Sequence, residues 1–236
     1  MRVAGVVAAL AAEARVFGPA TRMSGGAAVL ADGTLLAVSG IGAAAAARAC
    51  TLLIDAGATA LVSWGMAGAL DPSLSAGAVC LPSEIIAADG SCFLTAAYWR
   101  EPLALNVARQ RPVAHGRLLT SAQAIDTVAK KLAAFRDTGA AAVDMESCAV
   151  AEVAAARSLP FIAVRAIVDE ARDALPSAAV AASLGGEFKI GRLVAGLLRS
   201  PADIAPLMRL ARRYRAATCS LRCVARLGCL KPPGAA

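Results

Sequence analysis

Carboxylates and one arginine sit beside apolar runs, where charge is rarely left. Val143-Asp144-Met145-Glu146 closes one run. Phe161-Ile162-Ala163-Val164-Arg165-Ala166-Ile167-Val168-Asp169 carries Arg165 within a second run and Asp169 at its end. Glu13 follows a third, Val3 to Ala8. Charged residues make up only 17% of the chain, and an ionisable group beside a buried segment is costly unless it is paired or used. Used, such groups suit acid–base chemistry: a buried carboxyl with a raised pKa gives up a proton, and ionised neighbours attract positive charge. Each also has a plainer reading. Asp169 could cap a helix, Glu146 could be an acid in a first helical turn, Asp144 could cap the helix starting near Ser147, Met145 could fill the core, and Arg165 could be a structural ion pair.

The elements that must position these groups read as alternating strands and helices. Short apolar runs occur at Val3 to Val7, Leu35 to Val38, Ala60 to Ser63, Ala78 to Leu81, Arg117 to Leu119, Ala141 to Val143 and Phe161 to Ala166. Helical stretches are expected at Ala43 to Ala56, Ala122 to Phe135, Ser147 to Ser158 and Gly186 to Leu198. This alternation implies an α/β fold with a largely parallel or mixed central sheet flanked by helices. Functional groups in such sheets lie at the carboxyl ends of strands, where Glu13, Ser39, Gly65, Asp144 and Asp169 fall. Gly40-Ile41-Gly42 and Gly65-Met66-Ala67-Gly68 read as glycine turns just after strands, without the spacing or lysine of a dinucleotide or Walker motif.

The 236 residues suffice for a core without disulfides or metal. The 58% hydrophobic content, with only 4% aromatic, implies a core of many small side chains. No apolar run approaches the roughly 18 residues of a membrane span. Met1 to Ala12 imitates a signal peptide, but Val3 to Ala8 reads equally as a buried strand, which is the preferred reading. The seven cysteines are scattered without a C-x-x-C pair and fit a reducing cytoplasm. His115 is the only histidine, at a strand entrance, so no metal is expected. The net charge of +7 is concentrated towards the C-terminus, which divides the chain into a domain at 1–200 and a basic amphipathic helical tail at 201–236. Arg209, Arg212, Arg213, Arg215, Arg222 and Arg226 make this tail either a contact for an anionic membrane surface or a solvated helix packed on the body. Nucleic acid is not an expected partner.

The order of Glu13, Ser39-Gly40-Ile41-Gly42, Gly65-Met66-Ala67-Gly68, Val143-Asp144-Met145-Glu146 and Val164-Arg165-Ala166-Ile167-Val168-Asp169 resembles the nucleoside phosphorylase and nucleosidase superfamily over about residues 1–200. Asp-Met-Glu-Ser, Val168-Asp169-Glu170 and Ala174-Leu175-Pro176 are most similar to the hopanoid-associated phosphorylases, also described as adenosylhopane nucleosidases. The resemblance implies cleavage of the bond between a ribose C1′ and a purine nitrogen. Protonating the base and placing negative charge near the sugar would answer the two difficulties of that reaction. It implies Asp169 as general acid at N7, Glu146 holding the ribose hydroxyls, Met145 beneath the sugar, and Glu13 activating water. Arg165 would pair with Glu13 and Glu146, and Ile125 would cover the base. Met66, Ala67 and Gly68 would contact substrate, as would Val168, which stands where the family usually has a serine. An ordinary aspartate at pKa ~3.9 would have no proton to give at pH 7, so burial must raise Asp169.

A phosphorylase needs an arginine for its dianion. Ala8-Ala9-Leu10-Ala11-Ala12-Glu13 and Ser63-Trp64-Gly65-Met66 offer none, so water is favoured over phosphate as nucleophile, with Arg15, Arg48 or a neighbouring subunit as the routes by which phosphate could still bind. No cofactor is expected, with phosphate as co-substrate in the phosphorolytic case. Adenosylhopane would carry a large hydrocarbon, which Ala174 to Leu184 could floor at about 0.8 kcal/mol per buried methylene. A methylthioadenosine or adenosylhomocysteine nucleosidase and a purine nucleoside phosphorylase are the alternatives. The family implies a homo-oligomer, here a homodimer; the location expected from the cysteines is cytoplasmic, at the inner membrane surface if the tail binds lipid.

Overall fold

The computed structural model describes residues 2–175, 204–228 and 230–233. The strands are β1 (Ala4–Ala8), β2 (Arg22–Ser24), β3 (Ala27–Val29), β4 (Leu35–Val38), β5 (Ala60–Ala69), β6 (Val79–Cys80), β7 (Glu84–Ile86), β8 (Cys92–Leu94), β9 (Val113–Ala114), β10 (Arg117–Thr120), β11 (Ala140–Asp144) and β12 (Phe161–Asp169). The helices are α1 (Ala11–Ala14), α2 (Ala43–Asp55), α3 (Ala97–Ala108), α4 (Val128–Thr138), α5 (Ser147–Ala156) and α6 (Ile204–Arg226). The expected helix at Gly186 to Leu198 and most of the Ala174 to Leu184 groove lie outside the described residues.

One mixed sheet runs β2-β3-β4-β1-β5-β11-β10-β7-β8, with β12 pairing β5 and β6, and β9 beyond β6. β1 lies parallel between β4 and β5, and its residues are buried throughout. β5 is the hub. It runs parallel to β12 from Phe161↔Leu61 onward, then meets β11 antiparallel at Val143↔Gly68 and Ala142↔Ala69. Gly65 to Gly68 therefore forms no turn, contrary to the expectation. β5 stays extended through it because β12 continues alongside, pairing Arg165 with Gly65 and Asp169 with Gly68.

The two faces of the sheet bury separate cores. Ala46, Ala49, Cys50 and Leu53 of α2 pack with Ala149, Val150 and Ala154 of α5 on one side. Trp99, Leu103 and Val107 of α3 join Ala217, Leu221 and Val224 of α6 on the other. The abundance of alanine lets these helices lie close, and close packing contributes dispersion as well as burial.

The basic C-terminal helix buries one face. Besides its apolar residues, Ser220 Oγ donates to Gly77 O at 2.6 Å, and Arg213 binds Asp173 and Glu170, just beyond β12. Arg209, Arg212, Arg215, Arg222 and Arg226 remain exposed on its outer side. Among the described residues, no helix is long and apolar enough to cross a membrane.

Candidate active site

A cavity of about 220 Å³ opens where β5 parts company with β12 and turns to β11. Glu13, Met66, Ala67, Gly68, Ile125, Asp144, Met145, Glu146, Val168 and Asp169 all line it, with Leu10, Ile41 and Leu175. Arg165 is the one expected site residue that does not. It lies beneath the floor, 2% exposed.

Glu13 is carried on α1, one turn past the end of β1. Its Oε1 accepts the Met66 N–H at 2.9 Å and its Oε2 the Leu10 N–H at 3.0 Å. Burial pushes its pKa up, against the pull of Arg165 and of these backbone donors. Gly65 is needed beneath it: a Cβ there would stand 2.6 Å from an Arg165 guanidinium nitrogen and 2.7 Å from Glu13 Oε1.

The expected pairing of Arg165 with Glu13 and Glu146 is corrected. Arg165 bonds Asp144 Oδ2 at 2.5 Å, and donates to Ser63 Oγ at 2.6 Å and Ser147 Oγ at 3.0 Å. Asp144 wins because it ends β11 directly over the guanidinium. Its other contacts fix it there: Oδ2 accepts the Ser147 N–H at 3.0 Å at the start of α5, and Oδ1 accepts Thr120 Oγ1–H at 2.8 Å. Asp144 is thus both helix cap and ion-pair partner. Glu13 and Glu146 still act on Arg165 through the field, and together the three carboxylates hold it charged despite burial. With Asp144 paired to Arg165, the oxygen atoms of Glu13 and Glu146 make this end of the cavity electronegative as they ionise, suited to a developing cation.

Glu146, next to the start of α5, accepts the Gly42 N–H on Oε1 at 2.9 Å. Burial and Asp144 raise its pKa to about 7, with Arg165 opposing. A carboxyl raised in the folded state binds more protons there than in the unfolded chain. Its contribution to stability is therefore full below the ordinary value of 4.5 and is lost as pH rises through about 7. Glu146→Gln removes this penalty, so Tm at pH 8 should rise above wild type while the difference shrinks towards pH 5. Thermal unfolding at the two pH values checks it; equal shifts at both would refute the assignment.

Asp169 lines the same cavity from the end of β12. A bulge separates Ile167 from Asp169 in the pairing with β5, and it re-aims the carboxyl over Gly68. A Cβ on Gly68 would lie 3.0 Å from Asp169 Oδ2. Burial raises the Asp169 pKa, opposed chiefly by Lys131, whose Nζ donates to Oδ2. The sequence reading missed Lys131. It is fully buried on α4 and donates to the Asp169 carboxyl.

A family model described as the phosphorylase superfamily matches residues 10–188. The chain belongs to the phosphorylase superfamily. No curated relative matches the sequence. Among solved structures of similar fold, the 5′-methylthioadenosine/S-adenosylhomocysteine nucleosidase of Helicobacter pylori, with butyl-thio-DADMe-Immucillin-A, is 17% identical. Its TM-score is 0.67, and the match covers 96% of this chain and 99% of that one. The corresponding nucleosidase of Neisseria meningitidis, with methylthio-immucillin-A, is 19% identical with a TM-score of 0.68, covering 96% and 99%. Futalosine hydrolase of Helicobacter pylori is 19% identical with a TM-score of 0.64, covering 92% and 97%.

Other members of this phosphorylase-superfamily site also escaped the sequence reading. Ser63, Ser147 and Thr120 are buried hydroxyls that satisfy Arg165 and Asp144. Trp64 donates its indole N–H to Glu13 O at 3.3 Å. Small hydroxyls carry no sequence signal of this kind. Trp64 could have been found, because a large amphipathic ring inside an apolar strand needs a hydrogen-bond partner.

Proposed function

We propose that this protein hydrolyses the N-glycosidic bond of a 5′-modified adenosine, with adenosylhopane as substrate, giving adenine and ribosylhopane. The observation that carries the reading is the division of charge within one cavity. Asp169, raised by burial, shares one cavity with Glu13, Asp144 and Glu146, and the rest of its lining is apolar apart from Gln123. Asp169 delivers a proton to N7, so that adenine leaves neutral. The electronegative wall steadies the cationic ribose. Glu13 takes the proton of the attacking water, and a carboxylate with a raised pKa is a stronger base for that step. Glu146 holds the ribose hydroxyls while Met145 packs beneath the sugar.

Water rather than phosphate fits this lining. Among the described residues no lysine, arginine or histidine lines the cavity. Arg15 and Arg48 are exposed and lie outside it. A phosphate dianion would face Glu13 with no cation to bind it.

The lipid substrate rests on the sequence resemblance, on Leu175 at the cavity wall, and on the exposed arginines of α6. Those arginines suit the anionic inner face of the cytoplasmic membrane. Homodimerisation belongs to the same reading. The volume of about 220 Å³ favours a second reading, methylthioadenosine or adenosylhomocysteine as substrate. A nucleoside fills such a space, and a fused-ring hydrocarbon would have to leave by its mouth.

Adenine release should be measured from adenosylhopane in anionic vesicles, from methylthioadenosine and from adenosylhomocysteine, with and without phosphate. Release from adenosylhopane independent of phosphate is the expected result. Brisk turnover of methylthioadenosine with none of adenosylhopane would discard the lipid. A requirement for phosphate, with ribose 1-phosphate as product, would instead make the protein a purine nucleoside phosphorylase.

A further inference from the structure

Lys131 is the one fully buried residue of α4, and all its donors are engaged. Nζ donates to Asp169 Oδ2, to Glu170 O at 2.8 Å and to Asp173 O at 3.0 Å. Three acceptors match the three N–H bonds of an ammonium group. Paired as an ammonium and a carboxylate, the two leave Asp169 without a proton of its own for a purine. We infer that Lys131 is the proton source for Asp169, a positioning residue that recharges the general acid during each turnover; this rests on the glycosidic-bond reading above.

The hydrogen-bond count supports the transfer. When the proton moves from Nζ to Oδ2, the neutral amine keeps two N–H bonds, and Glu170 O and Asp173 O accept both. Its new lone pair accepts the Asp169 O–H. Both forms of the pair are then fully satisfied, so the move leaves no orphaned polar group. It also converts two buried charges into two neutral groups, so no charge is separated in a low-dielectric setting as the proton moves. Glu170 and Asp173 are themselves held by Arg213 of α6, so the lysine has a fixed cradle.

The balance is complete. The Nζ–H bond breaks and its electron pair stays on nitrogen while the proton joins Oδ2. That proton passes from Oδ2 to N7 as the C1′–N9 bond breaks, its electrons going to the purine. Water adds to C1′ and gives its proton to Glu13. The cycle ends with Lys131 neutral, Asp169 ionised and Glu13 protonated, with the net charge unchanged. Solvent restores Lys131 and Glu13 after the products leave.

Lys131→Arg tests this, because arginine keeps the buried charge but does not release a proton. Two substrates sharing one 5-substituted ribose are compared: the adenine nucleoside, and its 4-nitrophenyl glycoside, whose phenolate leaves without protonation. The variant should lose about 10²-fold or more in kcat on the nucleoside, with far less loss on the glycoside and KM little changed. Parallel losses on both substrates would make Lys131 a structural clamp and overturn the relay, as would wild-type kcat on the nucleoside. Wild-type protein inactive on both would overturn the glycosidic-bond reading itself. If Lys131→Arg fails to fold, Lys131→Met is read by the same comparison.

Discussion

Asp169→Asn should lower kcat on an adenine nucleoside by at least about 10²-fold, the loss expected when a positioned acid is removed. The amide keeps the shape of the carboxyl but neither carries nor relays an acidic proton. Stability complicates the experiment. Lys131 is fully buried, and stripping it of its anion leaves an uncompensated charge, a change that typically costs about 3–5 kcal/mol. A loss of activity could then be mistaken for a loss of fold. The double variant Asp169→Asn with Lys131→Met resolves this, since replacing both members of a buried pair is often close to neutral. It should unfold near the wild-type Tm while staying at least about 10²-fold slow. A double variant with near-normal kcat would remove Asp169 from the chemistry.

The arrangement that makes these expectations possible was partly readable in the chain. Asp144, Met145, Glu146 and Asp169 could be found because each lies at the end of an apolar run, and strand ends of an α/β sheet converge on one edge. Lys131 could not. Beside Lys130, which pairs with Asp126 on the surface, it reads as half of a solvated basic pair, and its partner is 38 residues away. Only the tertiary approach of α4 to β12 reveals which of the two lysines turns inward. Lys131 does lie four residues before Phe135, a weak sign that it shares the apolar stripe.

Two other misses have local causes. α3 was hidden by Pro102, which reads as a helix breaker, although Trp99, Leu103 and Val107 recur at helical spacing and are all buried. The glycines at 65 and 68 suggested a turn, because glycine most often relieves the backbone. Here they make room instead: Gly65 for Arg165 and Glu13, Gly68 for Asp169. Sequence spacing shows where a side chain is missing but not what passes over the gap.

Arg165→Leu should be the most destabilising change at the site. The guanidinium is the only cation bonded to Asp144 among the described residues, and Asp144 is itself 1% exposed at its side chain. Without it, Asp144, Glu13 and Glu146 confront one another in a buried space. Removing one member of a buried ion pair costs about 3–5 kcal/mol, which for a chain of this size corresponds to a fall in Tm of about 6–20 °C. The effect must depend on pH, and its sign follows from linkage. Loss of the cation raises the folded-state pKa values of Glu13 and Glu146 further above their unfolded values. The variant then binds more protons folded than unfolded, and its stability is lost as pH rises through the raised values. The Tm gap to wild type should therefore be widest near pH 8 and narrow towards pH 5. Arg165→Lys keeps the charge but cannot reach Asp144, Ser63 and Ser147 together from one point, so it should fall between. If Arg165→Leu unfolds at the wild-type Tm at pH 8, the carboxylates beneath the sugar are not ionised together. The electronegative wall, and with it the stabilisation of a ribosyl cation, would then have to be abandoned.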